Sequence, residues 1–252
     1  MSFTVIIPRR GINDEGRGKK YALHRLIRQA DTDYVWLMDD DLIPAPASAL
    51  THLPLPSSAD MIILPLRMQA NHTCIEQLQR AEYAAIQQLT IESAQRGHAV
   101  MCSGANLLVR RDRWLESYAD IHPELMSGDD MFLLESFKRR GLSIEVLDQP
   151  DYTATISALP SLRALLRQRM RWAGKAPHYR DRDILCCGAC VLIVNLLQLI
   201  CPAILLVKFP IEYTYIKKRD ASISLPVAFL LELLYPWYML VSVIGGLFRR
   251  QW

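Results

Sequence analysis

Residues 33–44, DYVWLMDDDLIP, contain an apolar run that is followed at once by three carboxylates. The run from Val35 to Met38 has no polar alternation, which is typical of a strand covered on both faces. Pro44 cannot continue a central strand, so we expect the aspartates where the strand becomes a loop. In open α/β sheets, ligands bind at this edge, outside the carboxyl ends of the strands. The stretch therefore predicts an α/β fold with a ligand site at residues 39–41.

The three aspartates need a positive partner, because adjacent carboxylates repel one another unless a cation holds them or some stay protonated. In extended backbone, Asp39 and Asp41 point to the same side and Asp40 to the other. Hard oxygen ligands suit Mg²⁺ or Mn²⁺, and such ions commonly bridge one or two carboxylates to substrate phosphates. Two interpretations are open: a D-x-D metal pair, or a solvated acidic turn.

The composition excludes some classes of protein. The chain has 252 residues with 51% hydrophobic, and its formal net charge is only +3. This length suits one domain with additions, and the charge gives no case for nucleic-acid binding. The six cysteines form no paired zinc pattern, which indicates a reducing, cytosol-facing soluble part. The first twenty residues contain no long apolar core, so we expect no signal peptide.

The remaining elements extend this α/β pattern. A strand at 3–8, an amphipathic helix at 19–30 and the strand before Asp39 predict a βαβ unit. Farther along, the pattern predicts strands at 61–66 and 144–147 and a long helix at 73–95. The glycines and lysines of 16–20 stand at a helix N-terminus. They predict either an anion site or an ordinary glycine loop.

Three later motifs each allow two interpretations. The small residues of S-G-A-N, 103–106, permit close approach of the backbone to a ligand, or form a tight turn. S-G-D-D, 127–130, either caps a helix or supplies a general base. The basic helix at 159–173 either lies on anionic lipid or holds a pyrophosphate.

Two apolar segments, 184–207 and 225–248, follow the basic helix. Each is near the ~20 residues that are needed to cross a bilayer. Lysine and arginine occur on both flanks and in the connection, so the positive-inside rule does not decide the topology. We predict two crossings; a hairpin or an interfacial arrangement is the alternative.

Taken in order, five motifs resemble those of membrane-bound family 2 glycosyltransferases of the cellulose- and hyaluronan-synthase type. They are G-K-K-Y-A-L (18–23), D-D-D-L-I-P (39–44), C-S-G-A-N (102–106), S-G-D-D (127–130) and Q-R-M-R-W-A-G-K (168–175). The resemblance extends from Phe3 to the C-terminus. It implies a GT-A domain at 1–180, with a Rossmann-like mixed sheet and flanking helices. A membrane domain with two transmembrane helices would follow at 181–252.

The resemblance also implies roles for individual residues. Asp39 and Asp41 would bind Mg²⁺ or Mn²⁺, which grips the diphosphate of a nucleotide sugar. Asp130 would be the general base, with Asp129 as its acidic neighbour. Substrate-binding roles are implied for Lys19, Gly104, Asn106, Gln168, Arg171 and Trp172.

The implied activity is inverting, metal-dependent hexosyl transfer from a nucleotide sugar to a lipid-linked or polysaccharide acceptor. The chain would be a multi-pass protein of the cell membrane with its catalytic domain facing the cytoplasm. Inverting transfer needs a base on one side of the anomeric carbon and a stabilised leaving group on the other, which these residues would supply. The rival hypothesis is a catalytically silent membrane subunit or fragment.

The chain departs from this family at its start, because only 38 residues precede Asp39. Relatives usually have an additional strand there and an aspartate that reads the nucleotide base. The strand F-T-V-I-I-P, 3–8, is either their first strand with the next unit deleted or the strand immediately before the G-K helix. We favour the second interpretation, in which the chain is N-terminally shortened. It leaves base recognition and activity open.

Overall fold

The computed structural model describes residues 2–9, 15, 17–46, 59–71, 73–125 and 127–248. Seven strands and eight α-helices are found within them. In chain order they are β1 (Phe3–Ile6), α1 (Lys19–Gln29), β2 (Tyr34–Met38), β3 (Met61–Ile63), β4 (Leu66–Gln69), α2 (Cys74–Gln95), β5 (Asn106–Arg110), α3 (Arg111–Glu116), α4 (Asp129–Arg139), β6 (Ile144–Val146), β7 (Ala154–Ser157), α5 (Leu162–Ala173), α6 (Arg182–Ile200), α7 (Leu205–Arg219) and α8 (Leu225–Phe248).

The chain divides into two compact units, and each combines two separate stretches of sequence. The first is Met1–Leu66 with Ile91–Ile156, and the second is Arg67–Thr90 with Ser157–Trp252. Helix α2 therefore begins in the second unit and ends in the first. This division follows spatial compactness and does not test the predicted boundary at residue 180, which stays a prediction.

The first unit contains a five-stranded mixed sheet with the order β1-β2-β5-β3-β6. The pairs β1–β2 and β3–β6 are parallel, whereas β5 is antiparallel to both β2 and β3. The mixed sheet and its flanking helices confirm the predicted α/β class and fit a GT-A fold. In the β2–β5 pair, Met38 lies opposite Asn106. This register brings the start of the D-D-D motif and the end of S-G-A-N to one edge of the sheet.

Strand β2 is the centre of the first unit's core. All five of its residues are buried, as the uninterrupted apolar run predicted. Trp36 is fully buried, and its indole Nε1 donates a hydrogen bond of 2.8 Å to Oδ1 of Asn106. Helix α1 buries one stripe that includes Ala22, Leu23 and Ile27, in agreement with its predicted amphipathic pattern.

Two local features differ from the predicted elements. The strand expected at 61–66 is divided into β3 and β4 around Pro65. Proline has no N–H to donate to a ladder, and the Pro65 carbonyl accepts from the amide of Ala154 at 3.2 Å. Strand β4 instead pairs with β7 in a separate two-stranded sheet. The six-residue helix α3, directly after β5, was not predicted.

The second unit has its own apolar core. Alanines of α2 pack there against residues of α7, α8 and the connection between them. The buried members are Ala81, Ala84, Ile216, Ile223, Ala228 and Leu231.

Helices α5 and α8 approach one another through a pair of glycines. A Cβ on Gly246 would lie 2.7 Å from the carbonyl oxygen of Met170 and 2.8 Å from the amide nitrogen of Gly174. A Cβ on Gly245 would lie 2.6 Å from the terminal methyl of Met170. The missing side chains at both positions therefore permit this helix contact.

Buried polar groups connect the three C-terminal helices. The Lys208 ammonium of α7 lies 2.6 Å from a carboxylate oxygen of Glu232 in α8. The same ammonium donates at 3.0 Å to Oδ1 of Asn195 in α6. Gln198 of α6 donates at 3.0 Å to the backbone carbonyl of Glu232. Buried polar side chains thus link α6, α7 and α8.

Helices α6 and α8 are long and apolar enough to cross a bilayer, which is weak evidence for spans. The mean hydropathies of their most apolar 18-residue windows are 2.2 and 1.8. The predicted first span, 184–207, is divided, because α6 ends at Ile200 and α7 begins at Leu205. All six cysteines are free thiols, and Cys186, Cys190 and Cys201 are exposed.

Candidate functional site

Lys19 is the centre of the charged cluster in the first unit. Its ammonium nitrogen lies 2.7 Å from Oδ1 of Asp39 and 3.2 Å from Oδ2 of Asp129. The lysine is the first residue of α1, Asp39 follows the last residue of β2, and Asp129 is the first residue of α4. Three separate elements thus converge at the edge of the sheet where the sequence predicted a site.

The cluster is partly shielded from water, and this changes its electrostatics. Burial alone raises the pKa of the Asp129 carboxyl, but the Lys19 ammonium, a backbone hydrogen bond and the charge of Lys20 together outweigh burial, so the net pKa is lowered. Burial likewise favours the neutral form of Lys19. Asp129 and Asp39 reverse this effect and raise the pKa of the ammonium above its usual range. At neutral pH the site therefore contains a lysinium held between two carboxylates.

Gly104 lies directly against these carboxylates. Its amide nitrogen is 3.3 Å from Oδ2 of Asp130 and donates a hydrogen bond to it. A Cβ at this position would lie 3.1 Å from Oδ2 of Asp129 and 3.6 Å from the Lys19 ammonium. The small residue of S-G-A-N therefore permits a close backbone approach to the chain's own acidic cluster.

The two acids of S-G-D-D occupy the first turn of α4 without capping it. The N-cap residue is Gly128, with a φ of +87°, and no side chain caps the helix. Side-chain capping by the motif is therefore not what the structure has. The two carboxylates go to different partners, because Asp129 pairs with Lys19 whereas Oδ1 of Asp130 accepts from the amide of Met131 at 2.8 Å. Asp130 is half-buried.

The D-D-D motif presents its acids at different depths. Asp39 is half-buried and committed to Lys19 through one oxygen, whereas Asp40 and Asp41 are exposed. Within the described ranges, no group of three or more histidine, cysteine, aspartate or glutamate side chains could hold a metal ion. Two hard carboxylates at a ligand edge still match a Mg²⁺ or Mn²⁺ ion that takes its other ligands from a diphosphate and water. The donor set therefore fits such an ion only together with a substrate.

Lys20 has a structural role that the sequence did not reveal. Its side chain is 3% exposed, and its ammonium donates to the carbonyls of Ile121 and His122 at 2.7 Å each. These contacts tie the loop before α4 to helix α1. Of the two adjacent lysines that were predicted to attract an anion, Lys19 forms the ion pairs with Asp39 and Asp129, whereas the Lys20 ammonium hydrogen-bonds to backbone carbonyls.

Asn106 also contacts the core rather than the charged cluster. It is 1% exposed, and its amide nitrogen donates to the carbonyls of Pro65 and Tyr152 at 2.8 and 2.9 Å. Its Oδ1 accepts from Trp36. The hydrogen bonds of this side chain fix the strand behind Gly104, and the predicted substrate contact stays a prediction.

The predicted residues Gln168, Arg171 and Trp172 lie together on α5, in the second unit. Ser161 caps this helix by accepting from the amide of Ala164 at 3.3 Å. Gln168 is half-buried, whereas Arg171 is exposed and Trp172 is 36% exposed. The three side chains are therefore carried on one capped helix of about three turns.

Arg169, between these positions, points inward. It is 7% exposed and forms two hydrogen bonds with Glu82 of α2, at 3.1 and 2.7 Å. Sequence reasoning missed this pair, because a buried salt bridge between residues 87 apart leaves no local pattern. Its only sequence signal was a basic residue on the apolar side of an amphipathic helix.

Comparison with known proteins identifies the family. The family model described as glycosyltransferase-like family 2 matches residues 5–175. No curated protein matches the chain. A solved structure of a mycobacterial protein aligns with 18% identity and a TM-score of 0.33, covering 62% of this chain and half the length of that protein. Because the family model covers well over half of the sequence, the chain belongs to glycosyltransferase-like family 2.

Proposed function

We propose that the chain is an inverting glycosyltransferase. It moves a hexose from a nucleotide sugar to a lipid-linked or saccharide acceptor at a membrane. The observation that carries the proposal is the convergence of Asp39, Asp129 and Asp130 around Lys19 and Gly104 in a family 2 chain. The cluster joins the motif expected to bind a diphosphate with the motif expected to supply a base.

Asp130 is the general base in this proposal. Its neighbour Asp129 is paired with Lys19, whereas the Asp130 carboxylate accepts hydrogen bonds from the backbone amides of Gly104 and Met131. Asp130 removes the proton of the acceptor hydroxyl, and the hydroxyl oxygen attacks the anomeric carbon. The bond from that carbon to the diphosphate oxygen breaks, and the nucleoside diphosphate leaves with the electron pair. A correctly placed base of this kind contributes about 10²–10⁴-fold to the rate.

Asp39 and Asp41 hold the divalent cation. When bound, the ion neutralises charge on the leaving diphosphate. Asp39 retains one carboxylate oxygen besides the oxygen that contacts Lys19, and Asp41 is exposed. Lys19 adds a permanent positive charge beside the same carboxylate, where it also favours the leaving group.

The α5 residues Gln168, Arg171 and Trp172 bind the diphosphate and the acceptor end in this proposal. A guanidinium fork matches phosphate oxygens, and an indole offers a flat apolar face to a sugar ring. The exposure of Arg171 and Trp172 supports a role in binding, because both side chains are accessible to a ligand.

We further propose that α6 and α8 cross the membrane and that the catalytic part faces the cytoplasm. The support is the length and hydropathy of the two helices. Membrane spans in the same chain suit an acceptor that is itself a lipid or a growing polysaccharide.

Transfer by the purified full chain tests the proposal. The protein is prepared in detergent with Mn²⁺ and assayed against a panel of nucleotide sugars for nucleoside diphosphate release. Asp130→Asn and Asp41→Ala are each expected to lower turnover at least about 100-fold. Asp40→Asn, in the same motif, is the matched control and is expected to retain wild-type turnover. Nucleotide binding without turnover by the wild-type chain would contradict the proposal and favour a catalytically silent subunit.

A further inference from the structure

We infer that Arg169 is the positioning residue for the Gln168 and Trp172 side chains, with Glu82 as its anchor. The inference rests on the proposed function, because it assigns a role within the same motif. Arg169 itself is buried and does not contact substrate. It acts through the two neighbours that do.

A single guanidinium makes all the contacts that the inference needs. Its Nε and one terminal nitrogen donate to the two carboxylate oxygens of Glu82, at 3.1 and 2.7 Å. The other terminal nitrogen donates at 2.5 Å to Oε1 of Gln168. Its central carbon lies 4.1 Å from the centre of the Trp172 ring. Glu82 thus fixes the guanidinium on one side, and on the other side the guanidinium contacts the predicted site residues Gln168 and Trp172.

The anchor is rigid because both partners are buried. The side chains of Arg169 and Glu82 are 7% and 5% exposed. A bidentate pair of this kind fixes the plane of the guanidinium as well as its position. The plane then orients the amide of Gln168 and the ring of Trp172, which otherwise rotate about their side-chain torsions. Lysine cannot replace this fork, because its ammonium is a point charge on a flexible stem.

The first experiment uses ¹⁹F NMR of the full chain labelled with 5-fluorotryptophan, with Trp172→Phe to assign the Trp172 resonance. Arg169→Lys is expected to shift or broaden that resonance. Arg80→Lys is the matched control, because Arg80 forms an arginine–carboxylate pair with Asp220 from the same helix α2. It is expected to leave the Trp172 resonance unchanged. An unchanged resonance in Arg169→Lys would overturn the inference, whether or not the chain transfers sugar.

The second experiment measures transfer in the same variants. Arg169→Lys is expected to lower kcat/KM at least about tenfold, the scale expected when a binding group is displaced by less than an ångström. Arg80→Lys is expected to remain near the wild-type value. A shifted resonance with unchanged transfer would overturn the positioning role while leaving the proposed function intact. If the wild-type chain shows no transfer, the proposed function fails and the resonance alone decides whether Arg169 holds Trp172.

A charge-reversed double variant separates positioning from stability. Glu82→Arg combined with Arg169→Glu can restore the pair between α2 and α5, but it puts no guanidinium beside Gln168 and Trp172. The double variant is expected to melt at a higher temperature than either single variant and still to transfer sugar poorly. Recovery of transfer in the double variant would show that the pair acts through stability alone.

Discussion

Lys19 provides, from within the chain, a positive charge beside Asp39, one of the three acids near residue 40. The sequence predicted that these carboxylates need a positive partner unless some stay protonated, with a solvated acidic turn as the alternative, and the family resemblance implied a substrate-binding role for Lys19. It did not show that this lysine pairs with Asp39 and Asp129 at the same time, because the three residues lie on three elements. Only the register of the sheet and the entry of α4 bring them together.

Removing the Lys19 ammonium is expected to destabilise the fold at neutral pH. In Lys19→Met the Asp129 carboxylate, whose side chain is 11% exposed, loses its counter-ion. Because the site is partly solvated, we expect a loss of about 1–3 kcal/mol in the free energy of unfolding. Arg25→Met, which breaks the exposed pair between Arg25 and Glu15, is the control and is expected to cost less than about 1 kcal/mol.

The pH dependence of this loss has a defined sign. Lys19 holds the pKa of Asp129 below the ordinary value of 3.8, so the stabilisation is complete above that pH and disappears as the pH falls through the lowered value. The raised pKa of Lys19 keeps the ammonium charged past 10.5. In Lys19→Met, burial without the ammonium raises the pKa of the Asp129 carboxyl, so the variant takes up this proton at a higher pH than the wild type. The difference in unfolding free energy between wild type and Lys19→Met should therefore be largest at neutral pH and shrink as the pH falls from about 7 to about 3. Denaturant titrations across this range measure it, and a difference that persists at low pH would contradict the assignment.

At the scale of elements, the sequence predicted the strands and helices whose formation depends on the spacing of their own apolar residues. The apolar run of β2 and the apolar stripe of α1 are both present. A strand that is buried on both faces is apolar throughout, whereas a helix that is buried on one face repeats its apolar residues about every three to four positions. The division at Pro65 was not predicted, since the segment M-I-I-L-P-L reads as one apolar strand. Its carbonyl bonds to Asn106 and Ala154, and no sequence pattern shows these partners.

The candidate site shows the same limit. The sequence named Asp39, Asp129, Asp130 and Gly104 from motifs, and the structure brings them into one cluster. The partners that hold such motifs in place, such as Lys20, are decided by tertiary packing. Their contacts join residues about a hundred positions apart, so they have no period or spacing to read.

The contact between α5 and α8 predicts unequal effects for two adjacent glycines. Gly246→Ala puts a methyl group 2.7 Å from a backbone oxygen that cannot move independently, so α5 must shift. Gly245→Ala meets only the flexible Met170 side chain, which can rotate away. We expect Gly246→Ala to lower the melting temperature clearly and Gly245→Ala to have a smaller effect. Alanine itself favours a helix over glycine by about 1 kcal/mol.

Gly188→Ala in α6 is the control for that comparison. Apart from its chain neighbours and the backbone of its own helix, no heavy atom of the described residues lies within 4 Å of a Cβ at Gly188. Only the helix preference of alanine should therefore act, and the melting temperature should rise slightly. Thermal unfolding of the three variants in detergent measures the effects. Equal behaviour of Gly245→Ala and Gly246→Ala would show that the backbone approach between α5 and α8 is not close.

At the scale of the whole molecule, the two compact units do not follow the order of the chain. Helix α2 belongs to both, and the family match at 5–175 likewise includes parts of both. Hydropathy along the sequence separated the apolar C-terminal part from the rest. It could not show that residues 67–90 cluster with that part, because they carry an ordinary amphipathic pattern.

The full chain is expected to behave as an integral membrane protein. Helices α6 and α8 bury only 17% and 28% of their most apolar windows within the protein, so most of their apolar surface needs another cover. Membranes that contain the chain are washed with alkaline carbonate, which releases proteins attached only by charge. We expect the chain to stay with the membranes. Its release would contradict the crossing of the bilayer by α6 and α8.

Exposed thiols in α6 and directly after it allow the depth of this helix in the membrane to be measured. Cys186 and Cys190 lie near its start and Cys201 follows its last residue, all three exposed. At about 1.5 Å per residue, Cys186 and Cys201 are about 22 Å apart along the axis. Water-soluble and lipid-soluble maleimides would therefore report, on the unaltered polypeptide, how far each turn is immersed.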